Sequence, residues 1–388
     1  MTGARKATIG SAFDPRANSL NLLRLVFATA VIFSHAIGLG LFGRDWIGNR
    51  TTIGTVAVYG FFAISGFLIA GSAERNSTGR YLWQRCLRIL PAFWVCLVVT
   101  AFVIGFAGWN HQLHAYHLHG TVSQYLHAPN GPLGYVLHNW FLQIRQHVII
   151  ATEWNGSLWT LVYEFVCYLL LGALAFAGVL RHRRVVVALT AAAWAVEALF
   201  TCIPAFRAHL GPGNNEVTLY LSLVPLFLTG TLLYLYRDSV PDSGLLAAAS
   251  GLLFVSSLWM PVGGDIPALS PTSTSLLAPA IALPVLWLGI HLPFRQLGAA
   301  NDYSYGLYIY AFPVQVLLAL WGVTRWGYLA YAGMGVLATI PLAVASWWLI
   351  ERPALRLKKW SPSWGNSGGN PNPGVSVATP DLAPPGTE

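Results

Sequence analysis

Long apolar runs separated by short polar segments dominate this chain. Each run holds about 20 residues, the length that an α-helix needs to cross a hydrocarbon core of about 30 Å. The runs cover approximately residues 20–42, 52–71, 89–108, 158–180, 185–204, 218–236, 244–262, 274–292, 304–322 and 327–350. A segment that crosses a bilayer must satisfy its backbone hydrogen bonds internally, so each run is predicted to be helical. The pattern therefore predicts an all-α polytopic membrane protein with about ten transmembrane helices.

The composition excludes an ordinary soluble protein. Of the 388 residues, 55% are hydrophobic and 9% are charged, whereas a typical soluble domain has about 25% charged residues. The mean hydropathy of +0.56 agrees with this. A β-barrel is excluded because its strands, of about ten residues, would alternate strictly between apolar and polar positions. Four cysteines are too few for a disulfide scaffold.

The distribution of Lys and Arg predicts the orientation. With the N-terminus in the cytoplasm, 16 of the 22 Lys and Arg fall in inside segments, five fall in outside loops and Arg24 lies within the first helix. Cytoplasmic segments carry such an excess, so both termini are predicted to be cytoplasmic. The net charge of +8 is accordingly attributed to membrane topology and not to nucleic-acid binding.

Three segments follow from this pattern. Residues 1–19 are predicted to be a cytoplasmic N-terminal segment, residues 20–356 a transmembrane domain and residues 357–388 a disordered cytoplasmic tail. The first apolar run is too long for the core of a cleaved signal peptide and is interpreted as a retained anchor. The tail is rich in Pro, Gly, Ser and Asn, a composition that does not bury enough apolar surface to fold.

Ionisable side chains inside the apolar runs are candidates for function, because a charge in a bilayer is costly. Arg24 and His35 are 11 residues apart in the first run, so they share one helix face and lie about 16 Å apart along the axis. The fourth run carries one polar stripe, made of Ser157, Thr160, Glu164 and Tyr168. Glu164 and His35 are expected at matching depth below the outer boundary, where an acid and an imidazole would share one site.

Each of these residues also has a structural interpretation. His35 is compatible with a packing role bonded to a backbone carbonyl, and Glu164 with a protonated packing residue. For Glu197, which lacks a polar stripe, the structural role is favoured. The outside loop 109–157 carries a histidine cluster, His111, His114, His117 and His119. A solvated, weakly ordered loop is favoured there over a metal site, because no carboxylate or Cys completes a ligand set.

The inside loop after the second run is a further candidate site. It carries Arg80, Arg85 and Arg88. Arg85 and Arg88 share a face at a spacing of three residues, and the planar guanidinium fork suits phosphate groups. Plain positive-inside topology and lipid head-group binding are the alternatives.

Six short motifs follow one another along the chain from about residue 20 to residue 356. They are N-L-L-R-L-V-F-A-T-A-V-I-F-S-H, G-F-F-A-I-S-G-F-L-I, R-C-L-R-I-L-P-A-F-W, S-L-W-T-L-V-Y-E-F-V-C-Y, S-Y-G-L-Y-I-Y-A-F-P-V and a closing E-R-P. In this order they resemble the motifs of the acyltransferase-3 membrane proteins, which O-acylate polysaccharides, lipid-linked sugars and some antibiotics. The late histidine of the family pattern S-Y-x-x-Y-L-x-H-x-P is missing, and we assign its replacement to Tyr310.

The resemblance implies a reaction and a set of residue roles. An acyl group, expected to be acetyl, would pass from cytoplasmic acyl-CoA to a hydroxyl of a cell-envelope glycan or related sugar-containing acceptor, in a multi-pass protein of the cell inner membrane. The implied catalytic residues are His35, Glu164 and Arg24. The implied donor-binding residues are Arg85, Arg88 and Arg80. The expected acceptor-binding residues are Ser157, Trp159 and Tyr168. No metal and no permanently bound cofactor are expected.

Two other functions are compatible with the sequence. One is a proton-coupled secondary transporter that uses His35 and Glu164 as a relay, and the other is a non-catalytic lipid-binding scaffold. The sequence shows no internal repeat, which disfavours the transporter. The expected partners are acyl-CoA, a glycan or glycolipid acceptor and the lipid bilayer, with no nucleic acid and with homo-oligomerisation left open.

Overall fold

The fold is seen in a computed structural model, which describes residues 7–47, 51–143, 148–150, 152–209, 215–259, 276–298 and 301–360. These residues are mostly helical. Their α-helices are, in chain order, α1 (Ile9–Ala12), α2 (Leu20–Leu39), α3 (Ile53–Arg75), α4 (Thr78–Val99), α5 (Gly105–Ala115), α6 (Val122–Leu126), α7 (Pro132–Asn139), α8 (Trp159–Phe176), α9 (Arg183–Cys202), α10 (Pro204–His209), α11 (Asn215–Leu235), α12 (Gly244–Ser257), α13 (Ala282–His291), α14 (Ser304–Leu320), α15 (Tyr328–Ser346) and α16 (Arg352–Arg356).

The described β structure is limited to two small antiparallel sheets. Strand β1 (Trp46–Ile47) pairs with β2 (Thr51–Thr52), so that Trp46 lies opposite Thr52. Strand β3 (Val148–Ile149) pairs with β4 (Thr152–Glu153). The first sheet lies between α2 and α3, and it holds the end of α2 close to the beginning of α3.

Seven helices of the described residues are long and apolar enough to cross a membrane. They are Leu20–Leu39, Ile53–Arg75, Thr78–Ala115, Trp159–Phe176, Arg183–Cys202, Val217–Leu235 and Tyr328–Arg356. Three shorter apolar helices are Gly244–Ser257, Ala278–His291 and Ser304–Leu320. Every predicted apolar run thus contains a helix, and the prediction of a multi-pass helical membrane protein is confirmed. Ten crossings and cytoplasmic termini stay predictions.

Helices α3 and α11 approach each other at backbone distance. A Cβ atom added to Gly66 would lie 2.0 Å from the carbonyl oxygen of Phe227, and one added to Gly230 would lie 2.3 Å from that of Ala63. Apolar burial gives helices in lipid little reason to associate, so small residues that permit close van der Waals packing are the usual contact. The two helices are therefore in close backbone contact at Gly66 and Gly230.

Helix α14 lies in the interior, and 14 of its 17 residues are buried. It packs against α2 and α15. The Tyr305 hydroxyl donates to the carbonyl oxygen of Ile89 at 2.9 Å, and the Gln315 amide donates to that of Ile32 at 2.8 Å. These long-range bonds fix α14 against α4 and α2, and they set which of its side chains face the site.

The basic inside loop is shorter than the sequence predicts. Helix α4 begins at Thr78, so only Asn76 and Ser77 separate it from α3. The three arginines that were assigned to the loop therefore lie on a helix. The helix continues through a π-helical segment at Thr100–Ile104 to Ala115. The apolar pattern predicted only residues 89–108 of this helix, because the first turns of α4 carry polar side chains.

The predicted outside loop contains short helices and a small sheet where the structure describes it. Helices α5, α6 and α7 and the β3–β4 sheet occupy much of residues 109–153. Tyr125, Tyr135 and Trp154 are almost completely buried, and the Tyr125 hydroxyl donates to the carbonyl oxygen of Ala101 at 2.6 Å. Aromatic side chains bury large apolar areas, and they order this segment against α4 and α5.

The predicted tail begins later than residue 357. Residues Leu357–Lys359 form one turn of 3-10 helix. The indole nitrogen of Trp83 donates to the carbonyl oxygen of Leu357 at 3.1 Å, and the rings of Trp83 and Trp360 lie 5.6 Å apart. Two tryptophans thus hold this turn on α4. Residues 361–388, together with His147 of the histidine-rich segment, lie outside the described residues.

Candidate active site

A cavity of about 520 Å³ lies where α2 ends and α3 begins. His35 and Ser34 line it from α2, and Trp159 from the first turn of α8. Phe312 lines it from the buried helix α14, and Asp45 from the segment between α2 and β1. Imidazole, hydroxyl and carboxylate groups therefore converge on one space with three aromatic rings, those of Trp159, Tyr308 and Phe312.

His35 has no structural partner that would explain it. Its Nδ1 atom is buried without a hydrogen-bond partner among the described residues. The ring packs edge-on against Phe312, with ring centroids 5.1 Å apart. A histidine kept for packing would be expected to bond a backbone carbonyl, since an unsatisfied buried nitrogen is costly. The geometry favours the functional interpretation of His35.

Asp45 is a cavity residue that the sequence analysis missed. The Ser34 hydroxyl donates to its carboxylate. Burial raises the pKa of Asp45, and hydrogen bonds from Ser34 and from the Ile53 amide partly oppose that shift. Asp45 lies in a short polar segment between the first two apolar runs. Its position ten residues after His35 was a usable signal, since the chain returns toward the cavity between α2 and α3.

Glu164 lies in a different space from His35. It lines a small neighbouring cavity of about 40 Å³, together with Arg24. Val58 and Tyr308 line both cavities. The Ser65 hydroxyl donates to Glu164 Oε1 at 3.0 Å, and the Tyr168 hydroxyl donates to the same oxygen. The predicted acid and imidazole therefore occupy adjoining cavities without hydrogen bonding to each other.

Two other members of the polar stripe, Ser157 and Thr160, hydrogen-bond to neighbouring protein groups. Ser157 is buried, and its hydroxyl donates to Asn155 Oδ1 at 2.9 Å. Thr160 shares a 2.6 Å hydrogen bond with the hydroxyl of Tyr308. Both residues therefore organise the first turn of α8 against α14. Of the three predicted acceptor-binding residues, only Trp159 lines the larger cavity.

A network of ion pairs joins α2, α4 and the ends of α14 and α15. Asp302 Oδ2 accepts from Arg24 Nη1 and from Arg88 Nη2, both at 2.5 Å. Arg88 Nη1 also pairs with Glu351 Oε2 at 3.1 Å. Burial favours the neutral acid at Asp302, but Arg24 and Arg88 hold its pKa well below its usual range. The sequence analysis named neither carboxylate as a partner of these arginines.

The sequence profile of the acyltransferase-3 family, described as an acyltransferase domain, matches residues 17–348. The chain belongs to this family. An O-acetyl transferase of Shigella phage Sf6 is 27% identical over 348 residues, which cover 87% of this chain and 96% of that protein. Nodulation protein 10 of Rhizobium leguminosarum bv. viciae is 28% identical over 367 residues, covering 88% and 94%. No solved structure matches.

The predicted donor-binding arginines of this membrane acyltransferase have three different environments. Arg88 is held by Asp302 and Glu351. Arg85 is unpaired at its buried Nε atom among the described residues, and its guanidinium lies 5.9 Å from the ring centroid of Tyr168. Arg80 is exposed in the first turn of α4. Of the three arginines, only Arg88 has its guanidinium engaged in ion pairs with described residues.

Two remaining candidates, Glu197 and Tyr310, do not line the larger cavity of the acyltransferase. Glu197 is completely buried in α9. Tyr310 is also buried and lies on α14 between Tyr308 and Phe312, the two residues that face the cavity. Counting back from Pro313, the family's missing histidine corresponds to Ala311, so the assignment to Tyr310 was wrong. No group of three or more His, Cys, Asp or Glu suited to a metal occurs in the part of the chain that the structure describes.

Proposed function

We propose that this membrane acyltransferase transfers an acetyl group from cytoplasmic acetyl-CoA to a hydroxyl of a cell-envelope glycan or glycolipid, in the cell inner membrane. The observation that carries the proposal is His35 on the wall of a cavity of about 520 Å³, with a buried Nδ1 atom that no described residue hydrogen-bonds. The similarity to the O-acetyl transferase of the Shigella phage supports an acetyl group and an oxygen acceptor.

His35 supplies the base that the reaction needs. A hydroxyl is a weak nucleophile until its proton is removed, and imidazole has a reference pKa near 6.5, close to the working pH. The ring nitrogen takes the proton of the acceptor hydroxyl while the oxygen attacks the thioester carbonyl. The new C–O bond forms as the C–S bond breaks, and the departing thiolate takes the proton back from the imidazolium. An ester and free CoA are the products.

Donor and acceptor approach this base from opposite ends of the molecule. The two adjoining cavities give a route between α2, α3, α8 and α14, with Arg24 near one end and His35 near the other. Arg24 lies about 16 Å from His35 along the helix axis, too far to touch the same reacting atom. Arg24 and Glu164 are therefore assigned to the donor's path, and His35 to the chemical step.

Trp159 and Asp45 suit a sugar at the larger cavity. An indole ring presents a flat apolar surface on which the face of a sugar ring packs. A carboxylate accepts hydrogen bonds from hydroxyl groups, and such bonds to a charged group are worth about 1.5–3 kcal/mol. Both side chains line the cavity that holds His35. This combination supports a polyhydroxylated acceptor.

The test is acetyl transfer in reconstituted membranes. The purified chain is placed in proteoliposomes, with labelled acetyl-CoA on one side of the membrane. Cell-envelope glycans from cells that carry the gene, here called the host, are placed on the other side. Label is expected in the glycan as an alkali-labile ester, and mass spectrometry of the host's glycans with and without the gene should show one acetyl group per modified sugar. Label that stays in CoA or appears only as free acetate would contradict the proposal.

A further inference from the structure

The two adjoining cavities share a wall made by Tyr308 and Val58. Both residues line the cavity of about 520 Å³ that holds His35, and both line the cavity of about 40 Å³ that holds Arg24 and Glu164. Both side chains are buried. Any group that travels from the smaller cavity to His35 along this route therefore passes these two side chains.

The smaller cavity does not admit the donor as it stands. A volume of about 40 Å³ gives room for only a few water-sized groups. An acetyl group fills such a space, and the sulfur and the carbon chain behind it do not fit. The route between the two cavities is therefore closed in this structure, and its wall must move before a thioester reaches His35.

The Tyr308 side chain is held across the route by two hydrogen bonds to the beginning of α8. Its hydroxyl shares a 2.6 Å bond with the Thr160 hydroxyl and donates to the carbonyl oxygen of Ser157 at 3.1 Å. The ring of Phe61 packs edge-on against it, with ring centroids 5.8 Å apart. A tyrosine that is packed at its ring and bonded at its hydroxyl has one defined position. The ring leaves the route only when both bonds break.

Water has access to the larger cavity, because Gly43 and Arg44 line it and are exposed. A water molecule beside a thioester would be activated by the same imidazole of His35 as the acceptor hydroxyl. Its oxygen would form the new C–O bond as the C–S bond breaks, and the thiolate would take the proton back from the imidazolium. Acetic acid and free CoA would leave. A route that stays closed until the acceptor is present prevents this loss of donor.

We propose that Tyr308 determines the specificity of the reaction for the acceptor over water, by closing the route between the cavities until the acceptor occupies the larger one. The inference rests on the proposed function for the reaction. Ser157 and Thr160, which hold Tyr308, stand on either side of Trp159, the cavity residue assigned to the sugar. A sugar that packs on the indole displaces the turn that carries both bonds, and the ring is released.

The partition of acetyl-CoA between ester and acetate tests this inference. The full chain is placed in nanodiscs, which leave both faces of the membrane accessible, with labelled acetyl-CoA and with or without the host's cell-envelope glycans. In wild type, release of CoA should depend on the glycans. Tyr308→Phe keeps the ring and loses both hydrogen bonds, so it should raise the ratio of acetate to ester about tenfold. Val58→Ala widens the same wall and should raise the ratio in the same direction.

Tyr310→Phe is the matched control. Tyr310 is a buried tyrosine of the same helix that lines neither of the two cavities, and its variant should keep the wild-type ratio. A loss of folded protein lowers the yields of ester and acetate together and leaves their ratio unchanged. The ratio therefore distinguishes the closing of the route from a purely structural role of Tyr308.

The outcomes separate this inference from the proposed function. If wild type forms no ester, the proposed function is contradicted and the inference with it. If wild type forms ester and both Tyr308→Phe and Val58→Ala keep its ratio of acetate to ester, the closing role is overturned and the proposed function stands. If Tyr308→Phe does not fold, the ratio of Val58→Ala decides. Equal release of CoA by wild type with and without the glycans would also overturn the closing role.

Discussion

The cavity around His35 and the ion-pair network around Asp302 differ in how fully their polar groups are hydrogen-bonded. In the network, Asp302 accepts from two guanidinium groups and from the hydroxyl of Ser304. In the cavity, His35 keeps a buried nitrogen without a described partner. Saturated polar groups fix a structure, whereas an unsatisfied one has capacity left for a ligand or a proton.

An arginine and a histidine on the same helix have different roles in this protein. Arg24 and His35 both lie on α2, and the sequence presents them as one functional pair. Arg24 is bound by Asp302, 278 residues away in the chain, and so ties α2 to α14. His35 faces open space with an aromatic contact. Replacing a residue in the cavity should therefore reduce activity, and replacing one in the network should reduce stability.

His35→Ala should give the largest loss of activity. General-base catalysis contributes about 10²–10⁴-fold in rate, so the variant should transfer acetyl groups at least about 100-fold more slowly. Its thermal unfolding in detergent should match that of wild type, since the ring makes no described hydrogen bond at Nδ1. His182→Ala, which changes an exposed histidine, is the control. A rate above about a tenth of wild type would withdraw His35 as the base.

Asp302→Asn should give the largest loss of stability. Removing one partner of a buried ion pair costs about 3–5 kcal/mol, because the remaining charge is left uncompensated. Thermal and urea unfolding of the purified protein measure the effect. Asp238→Asn, at a residue whose side chain is 65% exposed, should change the free energy of unfolding by less than about 0.5 kcal/mol.

The pH dependence of that stabilisation has a defined sign. The pKa of Asp302 is lowered in the folded protein, so its contribution is fully present above the unfolded pKa of about 3.9 and is lost only as the pH falls through the folded value. The unfolding difference between wild type and Asp302→Asn should therefore stay constant from pH 8 to pH 5. A difference that disappeared between those values would contradict the network as drawn.

Asp45→Asn and Glu164→Gln ask which carboxylate works with the acceptor. Asp45 shares the cavity of His35, so its variant should lower kcat/KM for the acceptor about tenfold, through loss of a charged hydrogen bond. Because the pKa of Asp45 is raised, wild-type activity should decrease as Asp45 is protonated, at a pH above the usual range for an aspartate. Asp45→Asn should lack this decrease. Glu164→Gln keeps an oxygen for Tyr168 and should cost less than about fivefold. If Glu164→Gln lowered kcat/KM for the acceptor more than Asp45→Asn did, Glu164 would be the carboxylate that acts together with His35.

Truncation after Trp360 should have the smallest effect. The packing of Trp360 on Trp83 is retained, and the residues removed have a composition that does not support a folded core. Acetyl transfer and the Kd for CoA should both equal those of the full chain. Truncation after Arg356 is the contrasting variant. It removes the turn that Trp83 holds on α4 and should lower the free energy of unfolding by about 1 kcal/mol, the contribution of one hydrogen bond. Equal unfolding of both truncations would contradict a stabilising role of the turn after α16.

Much of the architecture could be predicted because the signals are local. Every apolar run became a helix, since a long apolar segment has one way to satisfy its backbone in lipid. The spacing of Arg24 and His35 follows from the helical repeat alone. The boundaries were less predictable, because α4 begins with polar turns and its arginines face protein groups. The short helices before α8 were not predicted, because their buried aromatic residues contact groups that are distant in the sequence.

The class of protein and the family could be predicted from the sequence alone, and the sequence also suggested His35 as the base of the proposed reaction. These predictions were possible because hydropathy, helical spacing and short motifs are properties of neighbouring residues. Other contacts are visible only in the packed structure: Asp45 lies in the cavity of His35, Glu164 accepts from Ser65, and Arg88 is held by partners 214 and 263 residues away. These pairings depend on how helices cross and on which faces they bury. Each helix sequence is compatible with several such arrangements, and the packing of all of them together selects one.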